Sequence, residues 1–290
     1  MVLKKVTIMP ELPEVETTVN DLRKKIRGLK IIDIWIDTPK IIKKPSVFFF
    51  KKNIKNSKIK DIKRRGKNII LKLDNNRAVL IHQKMTGHLL YGKWQKKNGE
   101  WRSEKGPLED PMNRFLHLIF FLNNGKMLAL SDLRKFAKVI FGSQKEINSL
   151  PDLKKLGPDV LKVDFEDFKK IIKNKKGKIK QVLMNQEIIS GIGNIYSDEI
   201  LFEAKINPFQ KTEELKDSDL KKIFNATKKI LKIAINLKGE SISDYRTPDG
   251  GKGNFDKARK IYRREKEKLI RWGLNVYKIS PISKVRFEQK

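Results

Sequence analysis

Val15, Val19, Leu22 and Ile26 recur at the spacing of one helix face, and Gly28 follows them. This pattern predicts a helix of about four turns closed by a glycine. Residues 30–38 then alternate as a half-buried strand does. Further strand patterns cover Ile62–Leu73, Ala78–His82, Leu116–Leu122 and Met127–Leu130, with turn signals at Asn75-Asn76 and Asn124-Gly125. Short strands joined by tight turns predict a sheet sandwich behind one leading helix. The stretch Trp94–Asp110 is polar, charged and glycine-containing, and is predicted as a long surface loop.

Residues 141–158 carry the Gly, Ser and Pro of a linker, which puts a domain boundary near 145–150. Beyond it the period becomes helical, over Phe165–Asn174, Lys178–Met184, Asn194–Ala204 and Ser218–Asn236. Glu240–Phe255 is then a long loop around Pro248-Asp249-Gly250-Gly251-Lys252-Gly253, too glycine-rich to be rigid by itself. It has two readings: a flap that closes over a ligand, or ordinary surface disorder. Leu274–Lys278 and Lys284–Glu288 are predicted as a terminal hairpin. The fold class is therefore α+β: a helix plus β-sandwich domain over 10–145, a helical domain over 150–255 and a hairpin over 256–290.

Composition narrows the partners. The chain has 290 residues, 39% of them hydrophobic, enough for real cores. Lys and Arg number 66 against 34 acids, a formal charge of +32, which points to a polyanion such as a phosphate backbone unless the excess is a merely solvated surface. The absence of cysteine excludes disulfides and thiolate metal sites. His82, His88 and His117 are the only imidazoles, and their spacing does not suggest a shared metal. Residues 1–9 are too short for a signal peptide and no later apolar run is long enough to span a bilayer, so a cytoplasmic location is expected.

Several stretches carry chemistry. Met9-Pro10-Glu11-Leu12-Pro13-Glu14-Val15-Glu16 sets two prolines and three carboxylates at the mouth of the first helix. Prolines and acids also simply start helices. If translation starts at Met9 and that residue is removed, Pro10 carries a free secondary amine, a nucleophile able to form an iminium at a sugar C1′, with Glu11 in reach to move protons. Arg64-Arg65-Gly66-Lys67 is a basic cluster at the entrance to an apolar strand. Met85, between polar neighbours, is either a wedge or a core filler. Arg134 and Phe136, two apart, would point the same way on a strand and could together enter a base stack. Gly191-Ile192-Gly193 aims a helix amino terminus, with Asn194 on it, at a phosphate.

From Met9 onward these residues resemble the formamidopyrimidine-DNA glycosylase and endonuclease VIII family of base-excision repair enzymes. Five matches in order carry the resemblance: the Pro10–Glu16 start, Lys67, Met85, the Arg134/Phe136 pair, and Gly191–Tyr196 through Asn207-Pro208, which is similar to a helix-two-turn-helix. The resemblance implies Pro10 as the Schiff-base nucleophile, Glu11 as proton shuttle and Glu14 as a supporting carboxylate. It implies that Lys67, Lys180 and Asn194 contact phosphates, and that Met85, Arg134 and Phe136 fill the gap left by a flipped nucleotide. That trio is similar to the oxidised-purine branch. The implied activity is glycosylase plus abasic-site lyase, without a cofactor, on duplex DNA carrying 8-oxoguanine or formamidopyrimidines, by a monomer.

Two departures stand against the pattern. The family usually ends in a four-cysteine zinc finger, whereas the tail Tyr262–Lys290 is similar to a zincless finger, packed through residues such as Trp272, Val276, Tyr277 and Phe287. Lys284 or Arg286 would replace the finger's phosphate-binding arginine. Nine residues also precede Pro10, and an acylated proline nitrogen is no nucleophile. An upstream start assigned in error is the expected explanation. Retention of those residues would instead make the chain a non-catalytic reader of damaged DNA.

Overall fold

The computed structural model describes residues 9–242 and 244–264, and beyond them the backbone of four short strands between 268 and 286. The chain divides into two compact units. The first runs to Lys154 and takes in Leu237–Asp256; the second holds Lys155–Asn236 and the chain from Lys257.

Helix α1 (Leu12–Ile26) opens the first unit. Pro13 suits its first turn, where a backbone N–H has no intrahelical acceptor, and the Glu14 carboxylate accepts the Glu11 N–H at 2.8 Å. Leu12, Val15, Val19, Leu22 and Ile26 are buried, each worth about 1.5–3 kcal/mol when withdrawn from water. Beyond the last turn Gly28 takes a φ of +88°, as a glycine terminator should.

The strands that follow are β1 (Ile31–Ile36), β2 (Ile42–Lys44), β3 (Ile59–Arg65), β4 (Asn68–Leu73), β5 (Arg77–His82) and β6 (Gly87–Gly92). After them come β7 (Trp94–Lys97), β8 (Glu100–Ser103), β9 (Leu116–Leu122), β10 (Met127–Asp132) and β11 (Lys138–Ser143). One sheet has the order β1-β9-β10-β6 and the other β2-β11-β5-β4-β3. Leu89, Leu118 and Phe120 from the first, with Leu71, Val79 and Val139 from the second, share one core with α1. Helix α2 (Val47–Ile54), which sequence patterning did not reveal, adds Phe50, whose ring lies 5.2 Å from that of Phe141.

Three expectations about this unit are corrected. Ile62–Leu73 is two strands: Arg65 pairs with Asn68, and Gly66 (φ +56°) and Lys67 form the turn between them. A two-residue turn inside an apolar stretch leaves little polar signal. Trp94–Asp110 is not simply a loop, because β7 and β8 form a hairpin whose Trp94 joins a small second core with Leu90, Leu108 and Ile119. Trp101 packs against the same core, and most of the remaining side chains face solvent, which is why the stretch reads as loop. The units divide after Lys154 rather than near 145–150, since α3 (Gln144–Asn148) and α4 (Pro151–Lys154) bury Ile147 and Leu153 within the first unit.

The second unit is helical, with α5 (Phe165–Lys173), α6 (Ile179–Met184), α7 (Asn194–Ala204) and α8 (Asp217–Asn236). Helix α7 is buried nearly all round, Asp198 and Glu199 included. In the tail, β12 (Lys268–Leu269) pairs with β13 (Leu274–Asn275), and β14 (Tyr277–Ile279) with β15 (Lys284–Arg286).

Candidate active site and nucleic-acid contacts

Pro10 is buried immediately ahead of α1, where Glu11 and Glu14 are each only 2% exposed. Besides the Glu11 N–H, the Glu14 carboxylate accepts the Glu240 N–H at 2.8 Å. Gly239 makes this approach possible: it has a φ of +81°, and a Cβ there would sit 2.7 Å from the Glu14 carboxylate oxygen. The Glu14 carbonyl accepts the Thr18 and Tyr245 hydroxyls at 2.9 and 3.2 Å. Both carboxylate oxygens and the carbonyl of Glu14 thus accept hydrogen bonds that tie the helix start to itself and to residues 240–245.

Lys67, in the turn between β3 and β4, faces this cluster. Burial holds its ammonium pKa below 10.5, while the charges of Glu11 and Glu14 act to raise it. Its neighbour Arg64 is tied down by the Glu16 carboxylate and donates to the Gly66 carbonyl at 3.2 Å. His82 belongs with these groups and sequence reasoning passed over it as a functional residue. Burial, then the charges of Lys84, Lys67 and Lys138, pull its pKa down to about 3. Its Nδ1 accepts the Lys84 N–H at 3.0 Å, so the neutral ring carries its proton on Nε2 as a donor. A histidine closing an apolar strand beside lysines was the available signal. Beside the start of α1 there are thus a buried proline, two buried carboxylates and a buried ammonium, of which the carboxylates are suited to proton transfer.

Met85, Arg134 and Phe136 are brought together. The Arg134 guanidinium stands 4.6 Å from the centre of the Phe136 ring and donates to Met85 Sδ at 3.5 Å. Phe136 is 49% exposed, unusual for phenylalanine. Arg134 and Phe136 lie in the turn after β10, not on a strand as expected. The turn is built on Asp132, whose carboxylate accepts the Ala137 N–H at 2.7 Å.

The Glu240–Phe255 loop belongs to the first unit, not with the helices, and in the structure it is extensively bonded. Lys25 and Asp249 pair at 2.5 Å, Arg246 and Asp110 at 2.9 Å, and Asn113 donates to the Gly250 carbonyl at 3.0 Å. Tyr245, Arg246 and Phe255 are buried. Gly250 serves a close approach to the distant Leu108 backbone, where a Cβ would meet atoms at 2.7 Å, which composition cannot display.

In the second unit Asn194 is the first residue of α7, and its side-chain amide donates to the Tyr262 hydroxyl at 3.4 Å. Glu199, also on α7, accepts the N–H groups of Lys260, Ile261 and Tyr262 at 2.8 to 2.9 Å, and burial raises its pKa. Lys180, expected as a phosphate contact, lies on α6. Its ammonium is buried and lies 2.7 Å from the equally buried Asp198, so its charge is already answered within the helices. Lys284 and Arg286 fall on β15, and their side chains, like those of Trp272, Val276, Tyr277 and Phe287, lie outside the described residues. Residues 1–8 also lie outside them.

Comparison with known proteins decides the family. The formamidopyrimidine-DNA glycosylase N-terminal domain matches residues 9–139, and the H2TH domain of the same enzyme matches 156–246. The chain belongs to the formamidopyrimidine-DNA glycosylase family. It is 33% identical over 272 residues to the formamidopyrimidine-DNA glycosylase of Pelotomaculum thermopropionicum, covering 93% of this chain and 94% of that one. That of Mycoplasma mobile is 35% identical over 247 residues, 85% of each chain. Among solved structures, the Lactococcus lactis Fpg in complex with DNA containing an abasic site superposes with a TM-score of 0.81 at 29% identity, covering 96% of this chain and 97% of that one. The α+β architecture of sheet domain and helical H2TH domain is thus that of the family. The family's four-cysteine zinc site has no ligands here, because the sequence has no cysteine. Among the described residues no group of three or more His, Asp or Glu side chains could hold a metal.

Proposed function

We propose that this chain is a bifunctional DNA glycosylase and abasic-site lyase that removes oxidised purines, 8-oxoguanine and formamidopyrimidines, from duplex DNA. The convergence of Pro10, Glu11, Glu14 and Lys67 at the start of α1 carries the reading, and relatives named for formamidopyrimidine excision support it. So does the likeness to Lactococcus lactis Fpg bound to DNA containing Fapy-dG or an abasic site. The family match begins at Met9, consistent with Pro10 as the working terminus.

In this reaction the damaged nucleotide is first extruded, at a cost of a few kcal/mol that Met85, Arg134 and Phe136 help offset by filling the stack. The Pro10 amine attacks C1′, the bond from C1′ to the base breaks, and the base leaves with the amine's proton; the C1′–O4′ bond then breaks, O4′ takes a proton from Glu11, and the opened sugar carries an iminium on Pro10. The resulting iminium acidifies the C2′ hydrogen. Glu11 removes that proton, the bond from C3′ to the phosphate oxygen breaks, and the strand is nicked. Water then hydrolyses the imine and returns Pro10. Glu14 holds the helix start through backbone N–H groups, and Lys67 and Asn194 bind phosphates. An α-amine ordinarily titrates near pH ~7.7–8, so cations such as Lys67 nearby favour the free base at neutral pH.

Borohydride trapping on an 8-oxoguanine duplex tests this. Protein beginning at Pro10 should give a covalent adduct that vanishes in Pro10→Gly, and protein retaining residues 1–9 should bind the duplex without trapping. Absence of any adduct from the Pro10 form would refute the enzyme reading and leave a lesion-binding protein.

A further inference from the structure

We infer that Asp132 is a positioning residue for strand intercalation, fastening the loop of Met85 to the turn of Arg134 and Phe136 so that the three side chains enter the DNA as one piece. This rests on the wedge role proposed above and adds to it what holds the wedge in shape. Strands β10 and β6 are neighbours, with Asp132 opposite Gly87, so Thr86 and Asp132 stand side by side where both chains leave the sheet. The Asp132 carboxylate is fully buried and makes the join. One oxygen accepts the Thr86 hydroxyl and lies 3.3 Å from the Arg134 N–H; the other accepts the Ala137 N–H at 2.7 Å. The Thr86 oxygen in turn accepts the Arg134 N–H at 3.1 Å.

The backbone of Asp132 is fixed as firmly. Its N–H donates to the Phe115 carbonyl at 2.9 Å, and its own carbonyl accepts the Lys135 N–H at 3.1 Å and stands 3.1 Å from His117 Nε2. Lys135, between the two wedge residues of the turn, has a φ of +58°, a conformation that a lysine keeps only when its surroundings impose it. Direct contacts among Met85, Arg134 and Phe136 are made by partly or wholly exposed side chains, where water competes. The buried carboxylate is shielded from that competition. An amide at 132 would present N–H to one of these donors, and valine at 86 would keep the shape but lose the cross-loop bond.

The test uses the full chain beginning at Pro10, with 2-aminopurine fluorescence beside an abasic analogue to read unstacking. Borohydride trapping is run in parallel on a natural abasic site in a paired duplex and in a single strand, where no stack needs opening. Asp132→Asn and Thr86→Val should each lose the fluorescence rise and slow trapping about tenfold or more on the duplex while staying within about twofold on the single strand. Thr86→Ser should behave as the parent. In the Asp132→Asn background, Met85→Ala should add little, because a wedge no longer held has little left to lose. Equal losses on both substrates would overturn the proposal in favour of a collapsed site, and so would parent-like unstacking in both variants. If Met85→Ala leaves the parent itself unchanged on the duplex, the wedge reading fails and this inference with it, a pattern distinct from either of the others.

Discussion

Lys67 in the first unit and Lys180 in the second are buried to nearly the same degree, 7% and 6% exposed, yet they are held in opposite ways. Lys180 sits 2.7 Å from Asp198. Among the described residues no carboxylate forms an ion pair with Lys67, and the fields of Glu11 and Glu14 favour its charge against burial. A paired buried ammonium is a brace, because its charge is neutralised before any ligand arrives. One that is buried and only loosely compensated keeps a strong electrostatic claim on an incoming anion. The same residue type at the same depth thus pairs within a helical frame in one place and faces a carboxylate cluster in the other.

The largest expected effect lies on the braced side. Asp198→Ala strands the Lys180 ammonium, and urea unfolding should show a loss of about 3–5 kcal/mol, while a double replacement by Met and Leu should recover most of it. Lys67→Met should reverse the pattern. Trapping on the lesion duplex should fall about 10²–10³-fold, with unfolding stability at neutral pH equal to the parent's or higher. The sign follows from linkage: a lysine whose folded pKa lies below its unfolded value penalises the folded state at neutral pH, and the penalty fades as pH rises from the lowered value toward 10.5. A large stability loss in Lys67→Met would erase the contrast between the two lysines.

Smaller effects sharpen it. Glu199→Gln replaces one oxygen that receives the N–H groups of residues 260–262 with a second donor, and should cost about 1–3 kcal/mol in the same assay. In the first unit His82 and His88 are held neutral, with pKa values pulled to about 3 and about 4. Because the folded values lie below 6.5, their stabilisation is complete above pH ~6.5 and is lost as pH falls toward the folded values, at up to about 1.4 kcal/mol per pH unit for each histidine. Trp35, Trp94 and Trp101 all lie in this unit, so tryptophan fluorescence in urea at successive pH values reads the loss, and His88→Gln should reduce the slope.

Much of this arrangement is visible in the chain itself. The face of α1, the strands β5, β9 and β10, and the helices α5 to α8 follow from local periodicity, because burying one face imposes a fixed repeat on neighbouring residues. The Pro10–Glu16 start was legible as a helix opening for a similar reason: its parts are adjacent, and proline suits the first turn of a helix. Elements that gave little local signal were missed. The hairpin of β7 and β8 turns most of its side chains to water. The turn at Gly66-Lys67 interrupts an apolar run for two residues only.

The amino-acid order alone determined the two-part α+β plan, the absence of any cysteine-based metal site, the strongly basic character and the family, since these depend on composition, on repeats and on motifs whose members lie close together. Only the tertiary structure decided that Lys180 answers Asp198 while Lys67 faces two glutamates, that Asp132 joins two loops, and that the 240–255 segment closes on Glu14. Each of these depends on groups far apart in the chain meeting within hydrogen-bonding or electrostatic range. Such meetings are settled when the sheets and helices pack, and no local pattern records them.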